Sequence, residues 1–180
     1  MSETRNLIYY VATTVDHYIA HEDGSVEGFL PEGAHIADYT NSLRDYETVI
    51  MGKHTYEFGY QYGMQPGDAP YPHMMHYIFS QSMDMIDTEN VKVIREDAVA
   101  FVTDLKLQPG GDVYLCGGGT FAGTLLDAGL IDGLILKVNP VIFGSGIPLF
   151  GDSTKTANLH LTASKTYTNG VMFQHYDVQT

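Results

Sequence analysis

The apolar positions of the chain come in short unbroken runs, separated by stretches of helical spacing. Leu7–Val11 is apolar throughout, the pattern of a strand buried on both faces. Thr48–Met51, Tyr77–Phe79, Val91–Ile94 and Val113–Leu115 are shorter runs of the same kind. Between them, Ala34–Tyr46 sets Ile36, Tyr39, Leu43 and Tyr46 three to four residues apart, which makes one helical face apolar. Ala98–Leu107 repeats the spacing with Phe101, Val102 and Leu105, and Phe121–Leu130 does so with Leu125 and Leu126. Strands alternating with helices predict a parallel sheet covered on both faces.

The last third changes character. Leu134–Val138 is a mostly apolar strand, interrupted only by Lys137. Leu159–Tyr167 alternates, Thr168-Asn169-Gly170 turns, and Val171–Val178 alternates again. Asn-Gly between alternating runs specifies a hairpin. Residues 1–180 thus read as a single α/β domain. Its sheet is mixed and mainly parallel, of about eight strands, with an antiparallel C-terminal hairpin at the edge. The Gly- and Pro-rich stretch Gly59–Pro72 is expected as a surface loop. Ligands of such sheets bind beyond the carboxyl ends of the strands.

Composition narrows the function classes. The chain has 180 residues, and 9 Lys+Arg against 22 Asp+Glu leave a formal net charge of −13. A chain this acidic repels nucleic acid and anionic membrane surfaces, so neither is expected as a partner. Its basic residues are scattered singly, which makes each a suspect if a phosphate must be held. Cys116 is the one cysteine, so no internal disulfide forms and a cytoplasmic protein is expected. The N-terminus lacks a signal-peptide pattern, and no apolar run approaches the ~18 residues that span a membrane.

The densest local motif is Val113-Tyr114-Leu115-Cys116-Gly117-Gly118-Gly119-Thr120-Phe121-Ala122, a strand, a glycine turn and a helix start. Glycines let backbone approach a diphosphate, and the helix end offers free N–H groups and a positive dipole. A tight strand-to-helix turn without a ligand has the same letters. The motif is late in the chain, and no acid stands ~20 residues on to hold a ribose, so a Rossmann dehydrogenase is not expected. A second candidate is Gly52-Lys53-His54-Thr55, where a strand ends and a short helix starts. Lys53 and Thr55 there would meet a phosphate, or Lys53 is a plain surface charge. Ser80 and Gln81 follow a third strand end. Cys116 reads as a thiol favoured by a helix start or as a small buried side chain. The pairs His73/His76 and His17/His21 lack companion ligands, so no metal is expected.

Together these stretches resemble the dihydrofolate reductase-like superfamily. They look closest to its riboflavin-biosynthesis branch, the RibD C-terminal reductase domains. Tyr10–Ala20 is similar to the first strand and S-x-D-G-x-I-A turn, with His17 in place of the glycine. Val49–Glu57 is similar to the M-G-R-x-T-x-E segment, and Ile78–Ser80 to a strand ending in serine. Cys116–Thr120 resembles the glycine cradle, and Pro140–Phe150 the P-V-x-x-G-x-G-x-P-L-F segment.

The resemblance implies a three-layer α/β/α fold, NADPH as cofactor, a small-molecule substrate and a homodimer. The activity it implies is hydride transfer to a C=N or C=O bond of a small heterocyclic or sugar-derived substrate. By the same resemblance, Ala12 and Ile19 would line the nicotinamide pocket. Gly52, Lys53, His54 and Thr55 would hold the 2′-phosphate side and the diphosphate. Ser80 and Gln81 would flank the adenine ribose. Cys116, Gly117, Gly118, Gly119, Thr120 and Phe121 would form the cradle. Asp16 would sit at the mouth of the site as a catalytic candidate. Folate reductases carry a carboxylate on the helix corresponding to Ala34–Tyr46. Here an ungapped count lands near Ile36, and Asp38 is the nearest acid. Lys53 replaces the family arginine, keeping the charge without the bidentate fork. Two alternatives stand beside the riboflavin-type reductase: a dihydrofolate reductase, and a nucleotide-binding protein without turnover.

Overall fold

The structure is a computed structural model and describes residues 4–179. In chain order it contains β1 (Leu7–Thr13), β2 (Tyr18–Ala20), α1 (Ala34–Ser42), β3 (Thr48–Gly52), α2 (Lys53–Glu57) and β4 (Met75–Phe79). After these come β5 (Val91–Ile94), α3 (Ala98–Leu107), β6 (Val113–Gly117), α4 (Gly119–Asp127) and β7 (Gly133–Val138). The chain closes with β8 (Ile147–Pro148), β9 (Asn158–Thr166) and β10 (Met172–Gln179). Eight strands form one sheet in the order β5-β4-β3-β6-β1-β7-β10-β9. The six from β5 to β7 run parallel, and β10 is antiparallel to both β7 and β9. The expected fold class, including the edge hairpin, is the one observed.

Strand pleating divides the core into two clusters. On one face Leu7, Tyr9, Ile50, Val113, Leu115, Leu134 and Leu136 pack under Val102, Leu105, Ala122 and Leu125 of α3 and α4. On the other, Tyr10, Val49, Met51, Tyr114 and Phe173 pack under Tyr39 of α1 and the following Leu43 and Tyr46. Each such apolar side chain contributes about 1.5–3 kcal/mol on burial, so the two clusters fix both layers to the sheet. α3 starts where the Asp97 carboxylate accepts from the Ala100 N–H at 3.0 Å, a cap of about 1 kcal/mol.

Several boundaries differ from the expected ones for local reasons. The helix expected over Ala34–Tyr46 stops at Ser42, whose hydroxyl donates to the Tyr39 carbonyl at 2.7 Å, and a 3-10 turn finishes the segment. The helix expected over Phe121–Leu130 begins at Gly119 and is ended by Gly129 in the left-handed region, φ 70°. The early start is possible because a Cβ at Gly119 would lie 2.1 Å from the Pro148 carbonyl, and one at Gly123 would lie 2.2 Å from that of Phe150. Only glycine lets α4 seat on the Pro148–Phe150 backbone. Within Gly59–Pro72 the chain first makes a 3-10 turn over Phe58–Tyr62 and only then becomes irregular.

The pairing of β2 with β8 was not expected. It ties the turn after β1 to the segment after β7. The Asp16 carboxylate accepts from the N–H groups of Phe143 at 3.2 Å and Gly144 at 2.8 Å, and the Leu149 N–H donates to the His17 carbonyl at 3.0 Å. Residues 141–151 therefore form a strap, fastened to the 14–18 turn on one side and to α4 on the other.

Candidate active site

The carboxyl ends of β1, β3, β6 and β7 converge on one rim of the sheet. Gly117 and Gly118 occupy its middle. Gly117 has φ 132°, which a side chain would resist. A Cβ at Gly117 or Gly118 would come within 3.6 or 3.3 Å of the Thr55 hydroxyl, and a Cβ at Gly52 within 3.9 Å of the Gly118 nitrogen. The three glycines and Thr55 thus frame a narrow slot that side chains would fill. α4 starts beside it with no side-chain cap. Gly119 differs from its neighbours, because its Cα side is taken up by Pro148. Thr120 is exposed, and Phe121 packs tilted on Phe79 with ring centroids 4.7 Å apart, its Cβ 3.8 Å from where a Cβ at Gly52 would stand.

Beyond the slot, the Lys53 ammonium donates to the Ser82 hydroxyl at 3.4 Å and stands 3.8 Å from Glu57. Ser80 accepts from the N–H groups of Ser82 and Met83, which shapes the turn after β4. Gln81 and His54 are exposed. A cleft of about 490 Å³ opens between the Glu22–Ser25 turn and α2, with His54, Glu57 and Phe58 on its wall. Glu22, Asp23 and Glu57 make that cleft acidic, which disfavours an anion on its floor.

On the tyrosine-lined face, a cavity of about 160 Å³ lies against the same rim, bounded by Tyr10, Ala12, Tyr39, Tyr114, Cys116 and Lys137. Ala12 of β1 is paired with Lys137 of β7, so a small and a long side chain stand next to each other. The Tyr39 hydroxyl lies 3.1 Å from that of Tyr114 and 3.3 Å from that of Tyr71. The Cys116 sulfur lies 3.4 Å from the Tyr114 hydroxyl and 3.8 Å from that of Tyr71. Burial pushes Tyr71, Tyr114 and the Cys116 thiol up, and Tyr10 up to about 12. The network is therefore neutral at neutral pH. A raised thiol argues against the nucleophile reading of Cys116. The Lys137 ammonium sits 5.0 Å over the Tyr39 ring. Among the described residues no carboxylate lies within 4.0 Å of it.

The two acids expected as catalytic lie elsewhere. Asp16 accepts from the Thr14 hydroxyl and the two strap N–H groups, and these bonds lower its pKa. Asp38 is held by Lys165 and Tyr167 of the hairpin, which lower its pKa in the same way. Both carboxylates are engaged and ionised at neutral pH, and neither lines the tyrosine cavity. Ile19 packs on the aliphatic cluster, across the sheet from Ala12's cavity. His76 accepts from the Tyr71 N–H and donates to the Asn90 carbonyl, and His73 bonds the Leu43 carbonyl. Sequence reasoning passed over Lys137, although its place in an apolar strand was visible, and over Tyr71, which came from the expected loop.

This fold has solved counterparts. A putative riboflavin biosynthesis protein from Shewanella sp. PV-4 superposes with a TM-score of 0.80 at 20% identity, covering 100% of both chains. Dihydrofolate reductase from Enterococcus faecalis, solved with NADP(H), superposes with a TM-score of 0.69 at 16% identity, again over 100% of both. The class is therefore the dihydrofolate reductase-like fold. In sequence, the uncharacterized protein YwjB of Bacillus subtilis (strain 168) is 34% identical, covering 96% of this chain and 97% of that one. The RibD C-terminal domain model matches residues 5–173, and the chain belongs to that family.

Proposed function

We propose that the protein is an NADPH-dependent reductase of the riboflavin-pathway type, acting on a C=N or C=O bond of a small heterocyclic or sugar-derived substrate. The observation that carries this reading is the meeting of the glycine slot and the tyrosine cavity on one rim. The residues fit a dinucleotide, because a Cβ at Gly118 would come within 3.3 Å of the Thr55 hydroxyl and Gly117 holds a φ of 132°, both beside the uncapped start of α4. Backbone N–H groups there hold the diphosphate without basic side chains, as a chain of net charge −13 requires. Lys53, joined to Ser82, supplies the side-chain cation for the ribose phosphate. Ala12 leaves room for a flat ring at the end of β1. NADPH, when bound, supplies the hydride from nicotinamide C4. The chain's own work is to orient that ring, exclude water and present the acceptor. The engagement of Asp38 by the hairpin disfavours folate, whose reductases use a carboxylate on this helix.

Two measurements test the reading. NADPH at ~100 times its Kd should stabilise the protein by roughly 2.7 kcal/mol, seen as a thermal shift, and Lys53→Ala should weaken it. Absence of a shift with both NADPH and NADH would overturn it. NADPH oxidation against pyrimidines, pterins and small carbonyls then separates a reductase from a nucleotide binder without turnover. Light scattering reads the homodimer carried with this proposal.

A further inference from the structure

We propose that Lys137 is the substrate-anchoring cation of the site and the donor of the reaction's proton. It selects a planar substrate with an electron-rich carbonyl or anionic rim. The inference rests on the reductase reading and adds the acceptor's chemistry to it.

The placement is specific. Lys137 lies in β7 between Leu136 and Val138, where an apolar residue would continue the strand. Register puts it beside Ala12 of β1 on one side and Phe173 of β10 on the other. Its ammonium hangs over the Tyr39 ring inside the 160 Å³ cavity. The neighbouring groups do not neutralise it. Tyr10, Tyr39, Tyr114 and Cys116 are kept protonated by burial. On α1, Asp38 is turned to Lys165 and Tyr167. Phe173 brings no charge. An ammonium drawn out of water without a counter-charge is costly, and a ring face returns only part of that cost. A bound carbonyl rim, enolate, carboxylate or phosphate would return the rest.

The polarity of the cavity is therefore the reverse of a carboxylate site made for a protonated base. Burial also lowers the Lys137 pKa, which brings its proton closer to neutral-range exchange. With NADPH as the hydride source, the acceptor carbon would gain the hydride as its C=N or C=O π bond breaks. The pair released to nitrogen or oxygen takes the Nζ proton. The neutral Lys137 amine would then regain a proton from water. Overall, NADPH and one proton reduce one double bond.

Two arms test this, one without cofactor. Calorimetric titration with orotate, an anionic pyrimidine, and with 2,4-diaminopyrimidine, a basic one, reads the cavity's polarity. Wild-type protein should prefer orotate, Lys137→Met should lose at least about tenfold of that affinity, and Lys137→Arg should keep it. Orotate binding that is absent or indifferent to Lys137→Met overturns the proposal. A missing NADPH response alone would sink only the reductase reading. In the second arm, Lys137→Met should slow turnover by roughly 10²–10⁴-fold with NADPH affinity unchanged. Lys137→Arg should bind substrate yet stay slow, because guanidinium holds its proton. Wild-type turnover should fall on the alkaline side, and a variant that kept full rate and this limb would refute proton donation.

Discussion

The two faces of the sheet bury comparable numbers of side chains with different chemistry. Under α3 and α4 the buried filling is mainly Leu, Val and Ile, whose contacts have no direction, with one buried hydroxyl, that of Tyr9, donating to the Leu149 carbonyl at 3.0 Å. Under α1 it is Tyr, Met and Phe, and the tyrosine hydroxyls reach one another and Cys116. Aliphatic packing tolerates any arrangement that fills space. A hydroxyl network does not, since each buried O–H needs a partner at a set angle. The difference separates duties: one face supplies cohesion, and the other holds a polar-rimmed cavity in a fixed shape.

The comparison can be broken or sharpened by substitution. The largest effect should come from the aliphatic face. Leu125→Ala removes a fully buried side chain and should cost about 2–5 kcal/mol, with ligand affinity little changed. Calorimetry checks the first part, and an equally large loss of affinity would break the division of duties. Next is Lys137→Met in the unliganded protein, which should raise stability by roughly 1 kcal/mol, or about 2–4 °C in Tm. The sign follows from linkage. Burial lowers the folded pKa of Lys137 below its ordinary 10.5, so the penalty is full below the folded pKa and fades as pH climbs from there towards 10.5. The Tm gap between variant and wild type should shrink over that range.

Tyr114→Phe should cost about 0.5–1.5 kcal/mol, the net worth of one hydrogen bond, yet shift substrate affinity more than Leu125→Ala does. The smallest effect is acid sensitivity at His76, which burial keeps neutral with its pKa below 6.5. Its contribution is complete above pH 6.5 and is lost as pH falls from there towards the folded value. His76→Gln should flatten that part of the stability–pH curve measured by denaturant titration.

Most of the fold was legible because its strands are periodic or continuously apolar. The hairpin was announced by Asn169-Gly170, and Gly170 does take a left-handed φ of 89°. The β2–β8 pair was not legible, since strands of three and two residues carry no period. The stretch Val113–Ala122 is a strand, a turn and a helix start, as its letters imply. Its glycines looked equivalent in letters, whereas Gly117 and Gly118 face the slot and Gly119 faces Pro148. Apart from Thr14, the partners of Asp16 and Asp38 lie more than a hundred residues away in sequence, so no local pattern announces them. Lys137 was visible as an interruption, but only the third dimension gave it a cavity and withheld a counter-ion.

The strap has a consequence for motion. Residues 141–151 are pinned to the Asp16 turn by hydrogen bonds and pressed on α4 through two missing side chains, at Gly119 and Gly123. The one side chain in these attachments, the Asp16 carboxylate, is itself held by the Thr14 hydroxyl at 2.6 Å, and the Leu149-to-His17 bond and the two glycine contacts are backbone to backbone. A shift of that turn is therefore passed through the Asp16 carboxylate and the strap backbone to the helix that borders the slot. The amides of Gly144 and Leu149 should thus exchange with deuterium together, as one opening unit, and slow together when the slot is filled.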